Sequence, residues 1–523
     1  MNFLKLKILK NLPIFNTIII LFFFIYSIFV VRYQYDGHHL GLIYSNANDL
    51  IKGKLPYKEI FIQYGFLTTL IHSLILLLFD NKFFFISFFT IVFYFLGIYF
   101  ISKSVNELIS KEYAIIATVV ILFNHPIPWL PWSNYIVFFF ISVCFYFLSI
   151  AKKKFFLIGL FLGLAILTRQ DSFIPIIFSF ILYFIFYFLN NGKVYMKNII
   201  KGFSGFLLPA LLFLSYLILY DIYDVWLNYL TIPSLYLELY NTSLFDLIFD
   251  YIIFFSINSF LDFIYVPQFF LISIILISNS IIILLKIFNK IEIPNNVFYI
   301  TLLSLFLSSL SLKIELFRLY TSVVFGLIPL LYLLNNIKNS ELKRNLNLLI
   351  ILPAIYSFIF YPYGGNKQFY NKDVVNSEIK LLNNHYDYFI WPETKITSIN
   401  EITNLSNKCD VQFLDNLTFD TMLSTVGLYD RIRLLPYEKS SLKYSKLHLH
   451  INSIKNPNQN FIELINSEIE NQNIILLINE NNNIYKNGEI KFTSFYNSIE
   501  INVSNVIGKP KILRIYYPSK CFL

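Results

Sequence analysis

The feature that most limits this chain is a series of long, nearly charge-free apolar runs, the first from Leu12 to Val31. Wound as an α-helix at about 1.5 Å per residue, such a run spans a hydrocarbon core of about 30 Å. Further runs lie near 83–101, 113–124, 134–150, 155–168, 173–189, 202–220, 264–288, 297–312, 317–335 and 346–361. Only closed hydrogen-bonded elements survive in lipid, and helices of this kind satisfy that condition. Composition agrees: 14% charged residues are too few to cover the surface of a soluble protein of 523 residues, and 56% are hydrophobic. The sequence predicts a polytopic α-helical membrane protein. The first run follows Lys5, Lys7 and Lys10, its core is long, and no small-residue cleavage site follows it. It reads as a retained helix with a cytoplasmic N-terminus rather than as a signal peptide.

Orientation depends on one ambiguous run, Tyr64 to Phe79. If it crosses, the loops carrying Lys152–Lys154, Lys193, Lys197, Lys201, Lys343 and Arg344 fall outside, against the positive-inside rule. If it lies along the outer interface, as its Thr68, Thr69, His72 and Ser73 allow, those loops and the ones with Lys103, Lys111 and Lys290 fall on the cytoplasmic side. The same test makes Leu244–Phe260 interfacial. The expectation is eleven spanning helices in residues 1–361, a first outer loop over 33–82 with juxtamembrane helices, and an extracytoplasmic C-terminus.

From about Tyr361 Asn, Lys, Glu, Ser and Asp become frequent and apolar runs shorten to strand length. Val411–Leu414, Ile474–Ile478, Ile499–Val503 and Ile512–Tyr516 read as strands, and Phe461–Glu470 has helical spacing. Residues 362–523 thus read as a small extracytoplasmic α/β or α+β domain. The three cysteines, Cys144, Cys409 and Cys521, show no metal-ligand spacing. Cys409 and Cys521 share this domain and could pair in an oxidising compartment. The net charge of +9 sits largely between apolar runs, which is a membrane pattern and excludes a nucleic-acid reading.

The first outer loop holds the residues best suited to chemistry. Asp36 stands just beyond the first helix, at the membrane–water boundary, where a carboxylate can ionise and act as a general base. Equally it could be a solvated aspartate favoured by a following helix start. Glu59 could orient an acceptor, or pair with Lys54 or Lys58. His38 and His39 with Asp36 have metal-ligand chemistry, but adjacent histidines point apart and no third ligand is evident, so no metal site is assigned. Arg169, in Thr168-Arg169-Gln170-Asp171, and Arg318, near Lys313 and Tyr320, lie at the outer ends of helices. Each could snorkel to the interface or hold a phosphate by charge-assisted hydrogen bonds. Trp129 and Trp132 fit an aromatic belt, with sugar stacking as the alternative.

Four elements in order carry a resemblance: Asp36 after the first helix; Ile51-Lys52-Gly53-Lys54-Leu55-Pro56-Tyr57-Lys58-Glu59; Gln63-Tyr64-Gly65; and Leu164-Ala165-Ile166-Leu167-Thr168-Arg169-Gln170-Asp171. Over roughly residues 10–175 the chain resembles the GT-C glycosyltransferases, which take sugars from polyprenyl-phosphate carriers. It looks most like the bacterial branch related to protein O-mannosyltransferases and aminoarabinose transferases. The resemblance implies juxtamembrane helices in the first outer loop, Asp36 as the catalytic acid, and Arg169 and Arg318 on the carrier phosphate. Many relatives have a Glu directly after that acid; here Gly37 stands there, so a paired role would fall to Glu59. His38, Tyr57 and Tyr64 are the further substrate-contact candidates.

The implied activity is an inverting transfer to a hydroxyl of a lipid, glycan or protein acceptor, outside a bacterial cytoplasmic membrane. Protein cations would neutralise the phosphate, so no cofactor is expected and a divalent metal is not required. A polysaccharide polymerase or ligase would instead centre on the late outer loop Asp221–Asp262, which has acids but neither Arg nor Lys. A transporter or flippase would show ionisable residues at mid-membrane depth and repeated halves, and neither is evident here.

Overall fold

A computed structural model describes residues 2–32, 39–60, 62, 65–124, 131–150, 154–191, 196–229, 267–288, 292–308, 323–360, 412–415, 466–467, 469–471, 474–479, 496–504 and 510–522. Leu244–Phe260, the loop 125–130 with Trp129, and much of Phe461–Glu470 lie outside them. Three described helices are long and apolar enough to cross a membrane on length and composition alone: Leu12–Val31, Phe84–Leu108 and Met196–Leu219. Shorter apolar helices pack among them.

Helix α1 (Asn2–Val31) is followed by α2 (His39–Ile51), α3 (Phe66–Leu78), α4 (Phe84–Leu108) and α5 (Lys111–Asn124). Side-chain contacts fix their directions. Asn16 Nδ2 donates to Ser102 Oγ at 2.7 Å, whereas further along α1 Phe24 meets Phe88 and Phe95 with centroids 6.1 and 5.6 Å apart. As α1 advances, its partner position on α4 recedes, so the two helices are antiparallel. The chain between them therefore starts and ends at the same end of the bundle. It crosses the membrane twice or not at all. Helix α2 carries Asn46, Asn48 and Asp49 within 13 residues and cannot be a span. Helix α3 then does not cross either; its 13 residues reach only about 20 Å. Its buried face is Thr68, Thr69, His72, Ser73, Ile75 and Leu76, turned toward the protein, while Leu74, Leu77 and Leu78 are exposed. This arrangement supports the interfacial reading of Tyr64–Phe79 without reference to loop charge.

The same argument extends along the chain. Ser102 Oγ donates to the Ala114 carbonyl at 3.4 Å and Phe23 meets Phe123 at 5.6 Å, so α5 runs with α1. Helix α6 (Ser133–Ser149) runs with α4, through Tyr94–Tyr135 and Phe100–Tyr146 at 5.5 and 5.6 Å. Helix α7 (Phe155–Thr168) returns: Cys144 Sγ lies 3.5 Å from the Ile158 carbonyl and Phe140 meets Phe161 at 6.0 Å. A short turn leads into α8 (Phe173–Asn191), then α9 (Met196–Leu219) and α10 (Tyr223–Tyr229).

Helices α7 and α9 run parallel in unusually close approach. A Cβ on Gly159 would lie 1.8 Å from the Gly202 carbonyl oxygen, and one on Gly205 would lie 2.0 Å from that of Phe156. Small residues at such crossings let backbones touch where lipid supplies no hydrophobic drive for helix association. The Gly159–Gly163 pair, four residues apart on α7, provides that surface against Gly202 and Pro209.

Helices α11 (Pro267–Ile287), α12 (Asn295–Ser308), α13 (Leu327–Asn335) and α14 (Ser340–Phe360) complete the described bundle. Asn347 Nδ2 donates to the Tyr113 hydroxyl at 3.3 Å, joining the start of α14 to the start of α5. Lys103, Lys111, Lys154, Lys197, Lys201 and Lys343 thus gather at one end of the bundle, given the helix directions above. At the other end lie residues 52–60, α3, Arg169 and the end of α9. That end carries Lys52, Lys54, Lys58 and Lys82, of which Lys54 is paired with Asp49 at 2.9 Å.

The C-terminal third contains a four-stranded sheet of order β1-β2-β4-β3, where β1 is Gln412–Asp415, β2 Ile474–Asn479, β3 Tyr496–Ser504 and β4 Pro510–Pro518. β1 pairs parallel with β2, and β4 pairs antiparallel with both β2 and β3. All four strand segments read from the sequence fall on these strands. Cys521, just after β4, is in a disulfide, and Cys144 in the bundle is free. The chain's remaining cysteine, Cys409, lies outside the described residues.

Candidate active site

At the end that holds α3, the turn of residues 55–60 is bound to the α7–α8 turn. Residues 55–60 form a tight turn: the Leu55 carbonyl accepts from the Glu59 and Ile60 amides at 2.8 and 3.2 Å, and the Ile60 carbonyl accepts from the Tyr57 amide at 3.0 Å. Glu59 Oε2 accepts from the Leu55 amide at 2.7 Å, so its carboxylate braces its own turn while remaining exposed. Of its two sequence-read lysine partners, Lys54 pairs with Asp49 instead.

Tyr57 is the residue by which the turn is anchored. Its ring is wholly buried and packs edge-on to Phe213 at 6.0 Å. Gln170 Nε2 donates to its hydroxyl, and burial pushes the phenol pKa well up, so it stays protonated. The backbone holds φ at +70°, a left-handed conformation that costs a bulky side chain roughly 1–2 kcal/mol and persists only where surroundings enforce it. Tyr216 adds a bond from its hydroxyl to the Pro56 carbonyl at 3.3 Å, and Phe66 lies 4.9 Å from the Tyr216 ring.

Gly65 lies directly on the last turn of α7. A Cβ there would meet the Leu167 and Thr168 carbonyl oxygens at 2.5 and 2.6 Å. The Thr68 hydroxyl donates to the Thr168 carbonyl at 2.8 Å, satisfying one of the acceptors that a helix C-terminus leaves open.

These contacts frame Arg169. Its amide donates to the Ala165 carbonyl at 3.0 Å, and its own carbonyl accepts from the Ser172 amide and hydroxyl at 3.1 and 2.6 Å. Its guanidinium donates to Asn134 Oδ1, in the first turn of α6, and the residue is half-buried. The backbone stands at the negative end of α7, where the helix dipole favours a cation, and the side chain reaches the positive end of α6. The result is a cation oriented between the end of α7 and the start of α6.

Of the residues singled out in the sequence, Glu59, Tyr57 and Arg169 are thus placed around one end of the bundle. Asp36, His38, Tyr64 and Arg318 lie outside the described residues. Buried Tyr57 serves as an anchor in this geometry rather than as an exposed contact. Asn134, Gln170 and Tyr216 were not singled out. Only Gln170, which adjoins Arg169 in a quoted motif, left a trace in the sequence.

The fold and this arrangement define a polytopic helical membrane protein with a structured polar end. No family model matches the chain, and no curated protein matches it. Among solved structures it is similar to ArnT from Cupriavidus metallidurans bound to undecaprenyl phosphate, with a TM-score of 0.50 and 9% sequence identity. The likeness covers 97% of this chain and 98% of that one. It shows the GT-C fold, which the first-loop motifs had implied.

Proposed function

We propose that the chain is a glycosyltransferase that moves a sugar from a polyprenyl-phosphate carrier to a hydroxyl acceptor at the outer face of a bacterial cytoplasmic membrane. The observation that carries this is the likeness to ArnT bound to undecaprenyl phosphate across nearly the full length of both chains. Arg169, held by Asn134 at the end of the bundle that carries α3, supports it independently. The reading has eleven spans in residues 1–361, the N-terminus in the cytoplasm, and residues 362–523 outside. The disulfide at Cys521 fits that side, since such bonds persist in oxidising compartments. The lysines at the opposite end fit the cytoplasmic side.

In this reading the acceptor oxygen bonds to the anomeric carbon from the face opposite the phosphate. The bond from that carbon to the phosphate oxygen breaks, and its electron pair leaves with the polyprenyl phosphate. Asp36 takes the hydroxyl proton, and Arg169 with Arg318 neutralises the leaving phosphate. Charge neutralisation is thereby assigned to protein cations rather than to a resident metal. Glu59 and Tyr57 hold the first outer loop in place, while His38 and Tyr64 contact substrate. The acceptor is a lipid, glycan or protein of the cell surface, by analogy with the branch the motifs resemble.

The nearly isosteric Asp36→Asn variant tests this in proteoliposomes supplied with a panel of polyprenyl-phosphate sugars. A loss of about 10²–10⁴-fold in transfer is expected for removal of a general base. Full activity from stably inserted Asp36→Asn would refute the assignment.

A further inference from the structure

We propose that the place where α7 and α9 begin side by side binds the headgroup of an anionic phospholipid, held by Lys154, Lys197 and Lys201. This site lies at the opposite end of the bundle from Arg169 and does not depend on the carrier reading. The glycine crossing fixes its geometry. A Cβ on Gly159 would fall 1.8 Å from the Gly202 carbonyl oxygen, and one on Gly202 would fall 3.7 Å from that of Phe155, so the two helices start in register. Lys154 directly precedes Phe155, and Lys201 directly precedes Gly202. Lys197 stands four residues before Lys201, on the same face of α9 and one turn nearer its start. The three lysines are therefore gathered within about one helical turn of the crossing.

All three are exposed, and among the described residues none is in an ion pair. The Lys154 ammonium instead lies over the Phe147 ring, 5.8 Å from its centroid. A single lysine at a helix end snorkels to the headgroup region and needs no ligand. This trio differs, because backbone packing brings the charges together. Like charges at i, i+4 repel, and Lys154 adds a third from the neighbouring helix. A phosphate among them replaces that repulsion with charge-assisted hydrogen bonds.

The surface beside the lysines argues for a lipid rather than a free anion. Met196, Ile200 and Phe203 form an exposed ridge on α9, and Phe156 is exposed at the start of α7. The exposed apolar surface continues along the membrane-length helix through Leu208, Leu211 and Leu212. A soluble anion makes no use of it, whereas acyl chains cover it directly below a headgroup held by the lysines. In the orientation proposed above this is the cytoplasmic leaflet, whose anionic lipids attract basic segments. A lipid seated there braces α7 against α9 at their starts. The opposite ends of the same helices carry Arg169 and the rings of Phe213 and Tyr216 near Tyr57.

Native mass spectrometry of the full chain in detergent tests this, with phosphatidylglycerol and phosphatidylcholine of equal chain length as probes and melting temperature as a second readout. Phosphatidylglycerol is expected to stay bound and to raise the melting temperature, and phosphatidylcholine to do neither. One lysine beside an anionic headgroup is worth about 5-fold in affinity. Lys201→Gln should weaken binding by that factor, and joint replacement of Lys154, Lys197 and Lys201 by Gln about 100-fold. Joint replacement by Arg keeps the charges and should keep the lipid. Lys111→Gln, at the same end but on α5, should leave binding unchanged. If the triple Gln variant melts lower without lipid, Lys201→Gln alone decides. Normal retention of phosphatidylglycerol by the Gln variants would overturn the site. So would an equal loss from Lys111→Gln, since the lysines would then act only through the general potential of the leaflet. Equal stabilisation by inorganic phosphate at the same concentration would overturn the lipid assignment.

Discussion

Replacing Gly65 by alanine perturbs the joint between the start of α3 and the end of α7 at one atom. The added Cβ would stand 2.5 Å from the Leu167 carbonyl oxygen and 2.6 and 2.7 Å from the Thr168 oxygen and carbon. All three are backbone atoms of a packed helix end and cannot swing aside as a side-chain tip would. Non-bonded contacts settle near about 3.5 Å, so the loop must lift by roughly 1 Å. That lift breaks the bond from Thr68 Oγ1 to the Thr168 carbonyl, now 2.8 Å. Overpacking of this kind costs about 1–3 kcal/mol and the lost hydrogen bond about 1 kcal/mol. Displacing a site-forming segment by about 1 Å is expected to reduce transfer about 10²-fold. Thermal unfolding in detergent and transfer in proteoliposomes measure the two effects. Thr68→Val gives the decisive control. It should cost about 1 kcal/mol in the unaltered chain and almost nothing beside Gly65→Ala, because the bond is already broken there. Equal cost in both backgrounds, with Gly65→Ala as stable as the parent, would refute the close-approach argument.

Three other outcomes follow from the geometry. Tyr57→Phe removes the acceptor of the Gln170 bond, so it is expected to lower stability by about 1–2 kcal/mol and to weaken phosphate-probe binding through Arg169, both read by ligand-dependent melting. His72, on the protein-facing side of α3, is buried with Nε2 unpartnered, and burial lowers its pKa to about 3. An unfolded histidine binds its proton near pH 6.5, so the unfolded state binds more protons below that value and stability falls on acidification. The slope should approach about 1.4 kcal/mol per pH unit between roughly pH 6 and 4, and His72→Gln should remove it from a melting series. Gly159→Val drives a branched side chain into the Gly202 carbonyl and should part α7 from α9, seen as lost expression of monodisperse protein.

What the sequence made legible follows from how local each signal is. Strands β1 to β4 were readable because short β-branched runs bounded by polar residues carry their own signature. Helix α3 was readable as interfacial because lysines flanking distant loops report on its crossing, and the α1–α4 register reaches the same result by packing. Arg169 stood out because an arginine at the outer end of a helix is uncommon in lysine-poor loops. Asn134, which orients it, did not, since an asparagine in a first helical turn reads as ordinary capping chemistry. The Tyr57–Gln170 link joins residues more than a hundred positions apart, and nothing in a tyrosine announces a left-handed backbone. The glycines of α7 and α9 were in plain view, but which two helices they bring together is a tertiary fact.

That glycine-lined pairing also sets an order of events during synthesis. Helix α9 is made after α7 and α8, yet Phe213, Tyr216 and Leu217 form the surface on which Tyr57, Ile60 and Ile62 rest. The loop leaves the ribosome some 160 residues before that surface exists, which at 5–20 residues per second is roughly 10–30 s. Over that interval the turn has its own Tyr57–Ile60 backbone bond, Gln170 is added next, and the Phe213 ring that packs on Tyr57 comes last. The packing around Tyr57 is therefore completed only when α9 closes against α7, so a nascent chain halted in α8 would lack the Phe213 and Leu217 surface.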